Sequence, residues 1–298
     1  MSVGHEIAGT VISSSSGKFK EGDRVGVGCM VESCRSCNLC DEGLEQHCPS
    51  MIQTYSSPFP EGKDHDDCAG HHTNGGYSEE IVVHEHFVFK LPDALDMKYV
   101  GPLLCAGITT YSPLNRFVKG KADQKVGIVG FGGLGHVAVK LAKAMGAEVT
   151  VFSRTLEKEP KAIELGASLV SHADMEAVGA LTRTFDTIID TVSTNHSVVA
   201  VLNTLKVGGN YCFLGGIPQA PDASIFQLLF SRYAIHGSLI GGVPETAEML
   251  EFCAEHNVLP EIEVIHASRA AENYKAMETG NYGAIRSVID MSTIGDLY

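Results

Sequence analysis

Four closely spaced cysteines are the residues of this sequence best suited to metal chemistry. Cys34, Cys37, Cys40 and Cys48 follow a C-x2-C-x2-C-x7-C spacing in a loop with almost no apolar periodicity. Thiolates this close repel one another unless a cation neutralises them, and four sulfurs from one loop can surround Zn²⁺. The alternatives are disulfides, which need an oxidising compartment, and an iron–sulfur cluster, whose ferredoxin spacing differs. The spacing favours a closed structural zinc site, which shapes a loop and performs no reaction.

A glycine-rich turn at 130–135, Gly-Phe-Gly-Gly-Leu-Gly, indicates phosphate binding. It follows a strand pattern and opens a helix pattern, which is the context of a dinucleotide-binding turn. Gly130 permits the tight turn, Gly132 lets the backbone approach a pyrophosphate, and Gly135 allows close helix–strand packing. The helix N-terminus supplies amide donors to the anion. The alternative is a glycine cluster needed only for packing.

The end of the next strand indicates which dinucleotide binds. An NAD site places an acid about 20 residues further on, where it bonds the ribose 2′-hydroxyl. Here the strand ends at Ser153, Arg154 and Thr155, with no acid at its tip. Arg154 can pair with a 2′-phosphate, its two neighbours can donate hydrogen bonds, and Lys158 can add charge. We favour NADP(H); the alternative is a solvated Arg154 and an NAD site.

His5 and Cys105 point to a second metal. His5 stands in G-H-E-x2-G, and Cys105 stands in Pro-Leu-Leu-Cys-Ala-Gly. Histidine and cysteine suit zinc, and a catalytic zinc needs three protein ligands plus an open position. Taken alone, His5 could be an ordinary terminal histidine and Cys105 a small buried hydrophobe. A catalytic site is favoured only because both residues occur in the same sequence as the dinucleotide-binding turn.

The composition is that of a globular α/β protein. The 298 residues are 44% hydrophobic and 19% charged, with 32 glycines. A net charge of −14 without a basic stripe argues against nucleic acid as a partner. No apolar run reaches about 18 residues, so we expect no membrane-spanning helix. Nine cysteines without an export signal favour a reducing, cytoplasmic location.

The elements that must position these residues fall into two regions. Residues 1–90 are turn-rich, with short strand patterns such as 26–31 and 80–83. From about residue 106, apolar strands and helices alternate, which is typical of βαβ units on a parallel sheet. The predicted strands are 125–129, 148–152, 187–190, 209–214, 235–238 and 287–290, and the predicted helices are 136–145, 157–165 and 244–256.

The motifs and their order resemble the zinc-dependent medium-chain alcohol dehydrogenases, over essentially the whole chain. The closest likeness is to the cinnamyl alcohol dehydrogenase branch, which includes bacterial NADP-dependent aldehyde reductases. The resemblance implies a Rossmann domain with a doubly wound parallel sheet at 109–242. It implies a GroES-like β-rich catalytic domain at 1–108 and 243–298, with a zinc lobe at 29–50. The active site would lie in the cleft between the domains, and two copies would pair as a homodimer through the Rossmann sheet edge.

The resemblance also implies roles for single residues. His5 and Cys105 match ligands of the catalytic zinc, and Glu6 matches an alternate ligand or the acid beside it. Thr109 matches a residue on the nicotinamide ribose, and Arg286 matches a position near the cofactor phosphates. The remaining cofactor residues are Gly130, Gly132, Gly133, Leu134 and Gly135 for the pyrophosphate and Ser153, Arg154, Thr155 and Lys158 for the 2′-phosphate. The implied reaction is hydride transfer between NADP(H) and a primary alcohol or aldehyde, with zinc polarising the carbonyl.

One departure from the family pattern leaves an alternative open. The family normally carries roughly sixty residues before G-H-E, including the first zinc cysteine and a proton-relay segment. Without them we expect an incomplete GroES-like domain and a zinc with two or three ligands. The alternative function is therefore a catalytically impaired NADP(H)-binding relative, stabilised by its structural zinc. For substrate contact the sequence offers Tyr55 and Phe59, with ordinary packing as the alternative.

Overall fold

The computed structural model describes residues 2–59, 70–219, 221–279 and 286–297. The chain divides into two compact units. The first unit runs up to Ile108 and resumes at Ile240, and the second unit is Thr109–Leu239.

The described residues form thirteen strands. In chain order, the strands are β1 (Ile7–Thr10), β2 (Arg24–Val27), β3 (Met30–Glu32), β4 (Ile52–Gln53), β5 (Val88–Lys90), β6 (Lys125–Val129), β7 (Glu148–Ser153), β8 (Ser168–Ser171), β9 (Phe185–Asp190), β10 (Leu205–Phe213), β11 (Ala234–Gly237), β12 (Glu263–His266) and β13 (Ser287–Asp290).

The described residues also form ten α-helices, and a π-helical turn at Leu103–Gly107 joins the second helix to the third. In chain order, the helices are α1 (Asn38–Asp41), α2 (Met97–Pro102), α3 (Ile108–Phe117), α4 (Gly135–Ala144), α5 (Glu159–Glu164), α6 (Met175–Ala180), α7 (Val199–Leu202), α8 (Ile225–Ser231), α9 (Val243–Glu255) and α10 (Ala270–Glu278). No helix among the described residues combines the length and apolar character needed to cross a bilayer.

The second unit is built on a six-stranded parallel sheet. The strand order is β8-β7-β6-β9-β10-β11, which is the order of a doubly wound dinucleotide-binding fold. The central strands carry apolar residues in their middle because helices cover both faces of such a sheet, and Ile128, Val151 and Ile188 are fully buried. The order reverses between β6 and β9, so a crevice opens at the carboxyl ends of these two strands. The predicted Rossmann fold is confirmed.

The first unit is rich in short strands. Strands β1, β2 and β5 form an antiparallel sheet, β3 pairs with β4, and β12 pairs in parallel with β13. The π-helical turn packs on this sheet through Leu104, since a Cβ added at Gly26 would lie 2.6 Å from the Leu104 side chain. The glycine therefore allows strand and helix to approach closely.

The predicted elements of the Rossmann region are present, with ends that differ by a few residues. The predicted strand at 287–290 is also present, as β13. The prediction of a strand at 80–83 is wrong: these residues belong to no strand, and Val82 is fully exposed. A strand forms only where a neighbour pairs with its backbone, and no described strand pairs with this segment.

Candidate metal centres and cofactor site

The four-cysteine loop gathers its sulfurs into one group. Cys37 caps the N-terminus of α1, Cys40 lies within that helix, and Cys48 follows a short 3₁₀ turn. The Sγ atoms of Cys34, Cys37, Cys40 and Cys48 all lie within 4.8 Å of one another. Zinc–sulfur bonds of about 2.3 Å at tetrahedral angles place sulfurs about 3.8 Å apart. The distances of 3.6 Å from Cys37 to Cys40 and 3.9 Å from Cys34 to Cys40 fit that arrangement.

The surroundings of these thiols suit a closed metal site. The backbone amides of Cys34 and Ser50 each donate to Cys48 Sγ at 3.4 Å, which stabilises negative charge on that sulfur. Hydrogen bonds from the Ser36 backbone and from the Cys37 thiol lower the pKa of Cys34 to about 6. Burial raises the pKa of Cys48 to about 11. A cation is therefore needed to hold all four sulfurs as thiolates near neutral pH.

A buried glutamate anchors this loop to the rest of the first unit. The Glu45 side chain is 2% exposed. Its carboxylate lies 3.0 Å from His86 Nε2 and accepts a hydrogen bond of 2.9 Å from the backbone amide of Val243, the first residue of α9. A carboxylate at a helix N-terminus is stabilised by the free amides there. No sequence pattern gives Glu45 a role, because its partners His86 and Val243 lie 41 and 198 positions away along the chain.

The structure brings His5 and Cys105 together, although they are 100 residues apart in sequence. His5 Nε2 lies 3.2 Å from Cys105 Sγ. Cys29 joins them, and the three ligand atoms lie within 4.8 Å of one another. One nitrogen and two sulfurs are soft donors that suit zinc. The sequence patterns do not single out Cys29, because it stands outside the C-x2-C spacing, and only the folded chain brings it to His5 and Cys105.

The elements around this trio fix the position of Cys105. It lies on the π-helical turn, a local widening of the helix that is frequent at functional sites. The hydrogen bond with Cys29 and burial raise the pKa of Cys105 well above its usual value, against the opposing effect of His5. The hydrogen bond with Cys105 raises the pKa of His5. The protein alone thus favours a neutral thiol at Cys105, and a bound cation would reverse that preference.

Glu6 lies apart from the three clustered ligand atoms. Its carboxylate is 3.5 Å from the Arg286 guanidinium, and both side chains are about three-quarters buried. The described residues whose ligand atoms cluster with His5 are Cys29 and Cys105, without Glu6. This geometry places Glu6 beside the site as a partner of Arg286. Its assignment as a ligand stays a prediction.

A cavity of about 770 Å³ in the first unit borders this site. His5, Glu6, Tyr55 and Arg286 are among the residues that line it. The Tyr55 ring stacks almost parallel to the His5 ring, with the ring centroids 5.8 Å apart. Phe59 instead packs on the apolar cluster of Val27, Val31 and Ile52. Of the two aromatic residues suggested by the sequence, Tyr55 is the one that stacks on His5 of this trio.

The glycine-rich turn of the second unit has the geometry of an anion cradle. Gly130 has φ +88°, and a Cβ there would lie 2.8 Å from Thr191 Oγ1, next to the end of β9. A Cβ on Gly135 would collide with the carbonyl oxygen of Gly130. A Cβ added at Gly132 meets no atom of the described residues within 4 Å, so the backbone there faces open space. The first and third glycines are needed for packing, and the second leaves room for a phosphate.

Cationic side chains lie beside this turn. Arg154 and Thr155 are exposed directly after β7, and Ser153 is half-buried at its end. Lys158 Nζ donates to the Phe131 carbonyl oxygen at 3.0 Å, so its charge is held against the glycine-rich turn. No carboxylate of the described residues forms an ion pair with Arg154. The site thus offers positive charge at the strand tip, where a 2′-phosphate would be attracted and an acidic residue is missing.

Thr109 begins the second unit. It lies in the first turn of α3 and is 8% exposed. Its hydroxyl is therefore close to the π-helical turn along the chain, only four positions after Cys105. Its assignment to the nicotinamide ribose stays a prediction, as does that of Arg286 to the cofactor phosphates.

Comparison with known proteins identifies the family. Residues 133–255 match the family described as zinc-binding dehydrogenase, and residues 1–93 match the alcohol dehydrogenase GroES-like domain. The chain belongs to this zinc-binding, medium-chain alcohol dehydrogenase family. It is 48% identical over 297 residues to NADP-dependent alcohol dehydrogenase C 1 of Mycolicibacterium smegmatis, covering 98% of this chain and 82% of that protein.

Solved structures agree with this assignment. The chain is similar to a cinnamyl alcohol dehydrogenase of Sorghum bicolor, with a TM-score of 0.87 and 37% identity over 98% of this chain and 82% of that one. It is also similar to the cinnamyl alcohol dehydrogenase of Helicobacter pylori complexed with NADP(H), with a TM-score of 0.85, 40% identity and the same coverage. The predicted family and the pairing of a Rossmann fold with a GroES-like domain are confirmed.

Proposed function

We propose that this protein is a zinc-dependent oxidoreductase that transfers hydride between NADP(H) and a primary alcohol or aldehyde. The observation that carries the proposal is the convergence of His5 and Cys105, 3.2 Å apart, in a chain that also holds a phosphate-binding turn. The similarity to proteins named as NADP-dependent alcohol dehydrogenase and cinnamyl alcohol dehydrogenase supports the same reaction class.

The first unit supplies the residues for the reacting carbonyl. His5 and Cys105 would hold zinc, which when bound supplies Lewis-acid polarisation of an oxygen atom. Tyr55 holds the His5 ring in place by stacking, and the Glu6–Arg286 pair neutralises charge beside the site. The cavity beside His5 offers space for an apolar substrate body, which favours aldehydes with aromatic or alkyl groups.

The second unit supplies the residues for the cofactor. The glycine-rich turn would bind the pyrophosphate through backbone amides at the start of α4, and Arg154 would pair with the 2′-phosphate. NADPH when bound supplies the hydride. Because no acid stands at the end of β7 to bond a free 2′-hydroxyl, we propose NADP(H) over NAD(H).

We also propose that two copies pair through the Rossmann unit. Strand β11 is the edge of the six-stranded sheet, and an exposed edge strand invites pairing with another chain. Helix α8, which precedes β11, exposes four large apolar side chains: Ile225, Phe226, Leu229 and Phe230. Such a patch is costly in water and is typical of an interface.

The experiment that tests the proposed reaction is NADPH oxidation with cinnamaldehyde and with a short alkyl aldehyde, on zinc-loaded protein. Variant Cys105→Ala should lose at least about 10³-fold in turnover, because it removes a metal ligand. The matched control is Cys253→Ala, a fully buried cysteine on α9 outside both clusters, which should keep wild-type activity. Zinc and NADPH binding without any turnover would contradict the proposal and match the catalytically impaired alternative.

A further inference from the structure

The segment 191–198, which joins β9 to α7, has no regular secondary structure. It begins next to the glycine-rich turn, since a Cβ added at Gly130 would lie 2.8 Å from Thr191 Oγ1 and 3.0 Å from the Val192 side chain. Residues 193–195 of the segment are exposed. In a doubly wound sheet a dinucleotide lies across the crevice where the strand order reverses, so this segment stands where it would contact the cofactor.

A buried carboxylate at the end of β9 anchors the start of this segment. Asp190 is fully buried. Its Oδ1 atom accepts a hydrogen bond of 3.0 Å from the Val192 amide, and its Oδ2 atom accepts one of 2.7 Å from the Tyr211 hydroxyl. Burial raises the pKa of Tyr211 well above its usual value, so this hydroxyl keeps the proton that it donates. A buried carboxylate is unfavourable unless it is hydrogen-bonded, and these two contacts supply that compensation.

His196 connects the middle of the segment to the same carboxylate. Its side chain is 17% exposed, and its Nε2 atom lies 2.8 Å from Asp190 Oδ2. The other ring nitrogen, Nδ1, lies 2.9 Å from the carbonyl oxygen of Thr194, one of the exposed residues. The end of the segment is held separately, because the Val198 amide donates to Asp222 Oδ1 at 2.9 Å. The imidazole therefore links an exposed stretch of backbone to a buried strand end.

We propose that His196 is a positioning residue that holds the segment 191–198 in the conformation that receives NADP(H). The inference rests on the proposed function, because it concerns the same cofactor. A binding segment that is already ordered costs less free energy to immobilise when its ligand arrives. Without the imidazole, the exposed residues would lose their link to Asp190, and NADP(H) would have to order them at the expense of affinity.

The competing explanation is that His196 only stabilises the fold by compensating the buried charge of Asp190. Two observations favour positioning. The carboxylate keeps the Tyr211 hydroxyl and the Val192 amide as partners when the imidazole is removed. The stretch that His196 ties down is exposed, so it contributes little to the core of the unit.

Three substitutions at this position separate the two contacts of the ring. Glutamine carries its amide nitrogen where Nε2 stands and keeps a donor toward Asp190, whereas asparagine is shorter and reaches only the nearby backbone. Leucine makes neither contact. NADPH affinity is measured by the fluorescence of the reduced nicotinamide, at a temperature where circular dichroism shows every variant folded. We expect His196→Gln to stay within about threefold of wild type and His196→Asn and His196→Leu to bind about tenfold more weakly, the factor expected for one lost hydrogen bond to a charged group.

The matched control removes the contact of another histidine in the same unit. His236 lies on β11, which β9 and β10 separate from β6, and its Nε2 atom lies 3.0 Å from Asn210 Oδ1. His236→Asn shortens the side chain in the same way as His196→Asn. It should leave NADPH affinity unchanged, even where it lowers the melting temperature.

A second measurement works on wild type alone, should the His196 variants fail to fold. Hydrogen exchange followed by mass spectrometry reports backbone amides that become protected on binding. Saturating NADPH should slow exchange in the segment 191–198. It should not do so at 206–209, near the amino end of β10. Unchanged exchange at 191–198 in the presence of bound NADPH would overturn the proposal.

The outcomes separate this proposal from the proposed function. Weaker NADPH binding in His196→Asn and His196→Leu, with affinity retained in His196→Gln, supports the positioning role. Equal affinity in all three variants, or an equal loss in His196→Gln and His196→Leu, would overturn it and leave the proposed function standing. Failure of wild type to bind NADPH would remove the cofactor on which both depend.

Discussion

Replacement of Arg154 by glutamine tests the choice of cofactor most directly. Arg154 is exposed directly after β7, and the end of β7 pairs with the end of β6, which the glycine-rich turn follows. A hydrogen bond to a charged group contributes roughly 1.5–3 kcal/mol, and solvent screening at an exposed site reduces this to about 1–2 kcal/mol. Since 1.4 kcal/mol corresponds to a factor of ten, Arg154→Gln should weaken NADPH binding by about 5- to 30-fold.

The effect should be confined to the cofactor that carries a 2′-phosphate. NADH lacks that group, so its affinity should change by less than about twofold. Both affinities can be measured by the fluorescence of the reduced nicotinamide, since the chain has no tryptophan to interfere. The loss for NADPH should shrink with added salt, because the interaction is between exposed charges.

A matched control removes an equal charge elsewhere on the same unit. Lys125 lies at the amino end of β6, whereas the glycine-rich turn follows the carboxyl end of the same strand. Its ammonium group pairs with Glu148 at 3.2 Å. Lys125→Gln should leave NADPH affinity unchanged. Equal losses for NADPH and NADH in Arg154→Gln, or no loss in either, would show that Arg154 is a solvated loop residue.

Gly135→Ala should abolish dinucleotide binding, measured by calorimetry, because the added Cβ would collide with the Gly130 carbonyl oxygen. Gly179→Ala on α6 is the control: a Cβ there has no atom of the described residues within 4 Å. It should raise the free energy of unfolding by up to about 1 kcal/mol, measured by thermal unfolding. Cys40→Ser should release one zinc per chain and lower the melting temperature, and an unchanged zinc content by atomic absorption would refute the four-sulfur site. Phe230→Asp should convert the proposed dimer to monomers in sedimentation velocity, since a charge in an apolar interface is strongly unfavourable, and persistence of the dimer would place the interface elsewhere.

The parts of the fold that depend on local pattern could be predicted from the sequence. The strand at Lys125–Val129 is a continuous apolar run, which is typical of a strand buried on both faces of a sheet. The helix after it carries apolar residues at helical spacing. The four-cysteine loop was equally accessible, because all its ligands lie within one short stretch. The strand predicted at 80–83 failed for the opposite reason. Its alternating pattern is typical of a strand, but a strand also needs a neighbouring strand to pair with, and the pattern does not specify one.

Residues whose roles depend on distant partners could not be predicted. Glu45 reads as one acid among many, yet it is buried because His86 and the amide of Val243 satisfy its carboxylate. Cys29 stands in no motif of the sequence, yet the folded chain places its thiol within 4.8 Å of the ligand atoms of His5 and Cys105. In both cases the residue type fits several environments, and only the packing of separate chain segments selects one.

The four-cysteine loop and the trio of His5, Cys29 and Cys105 differ in the number of ligand atoms that they offer to a metal ion. The four-cysteine loop offers four sulfurs to one ion, which fills a tetrahedral shell and leaves no position for a substrate oxygen. The ligand atoms of His5, Cys29 and Cys105 come from three separate stretches of the chain and number three, one fewer than a tetrahedral shell holds. A site assembled from distant stretches exists only while the whole first unit is folded, whereas the loop can form around its metal locally. The Lewis-acid chemistry that we propose would therefore depend on the folding of the first unit, whereas a zinc ion in the four-cysteine loop would stabilise that loop locally.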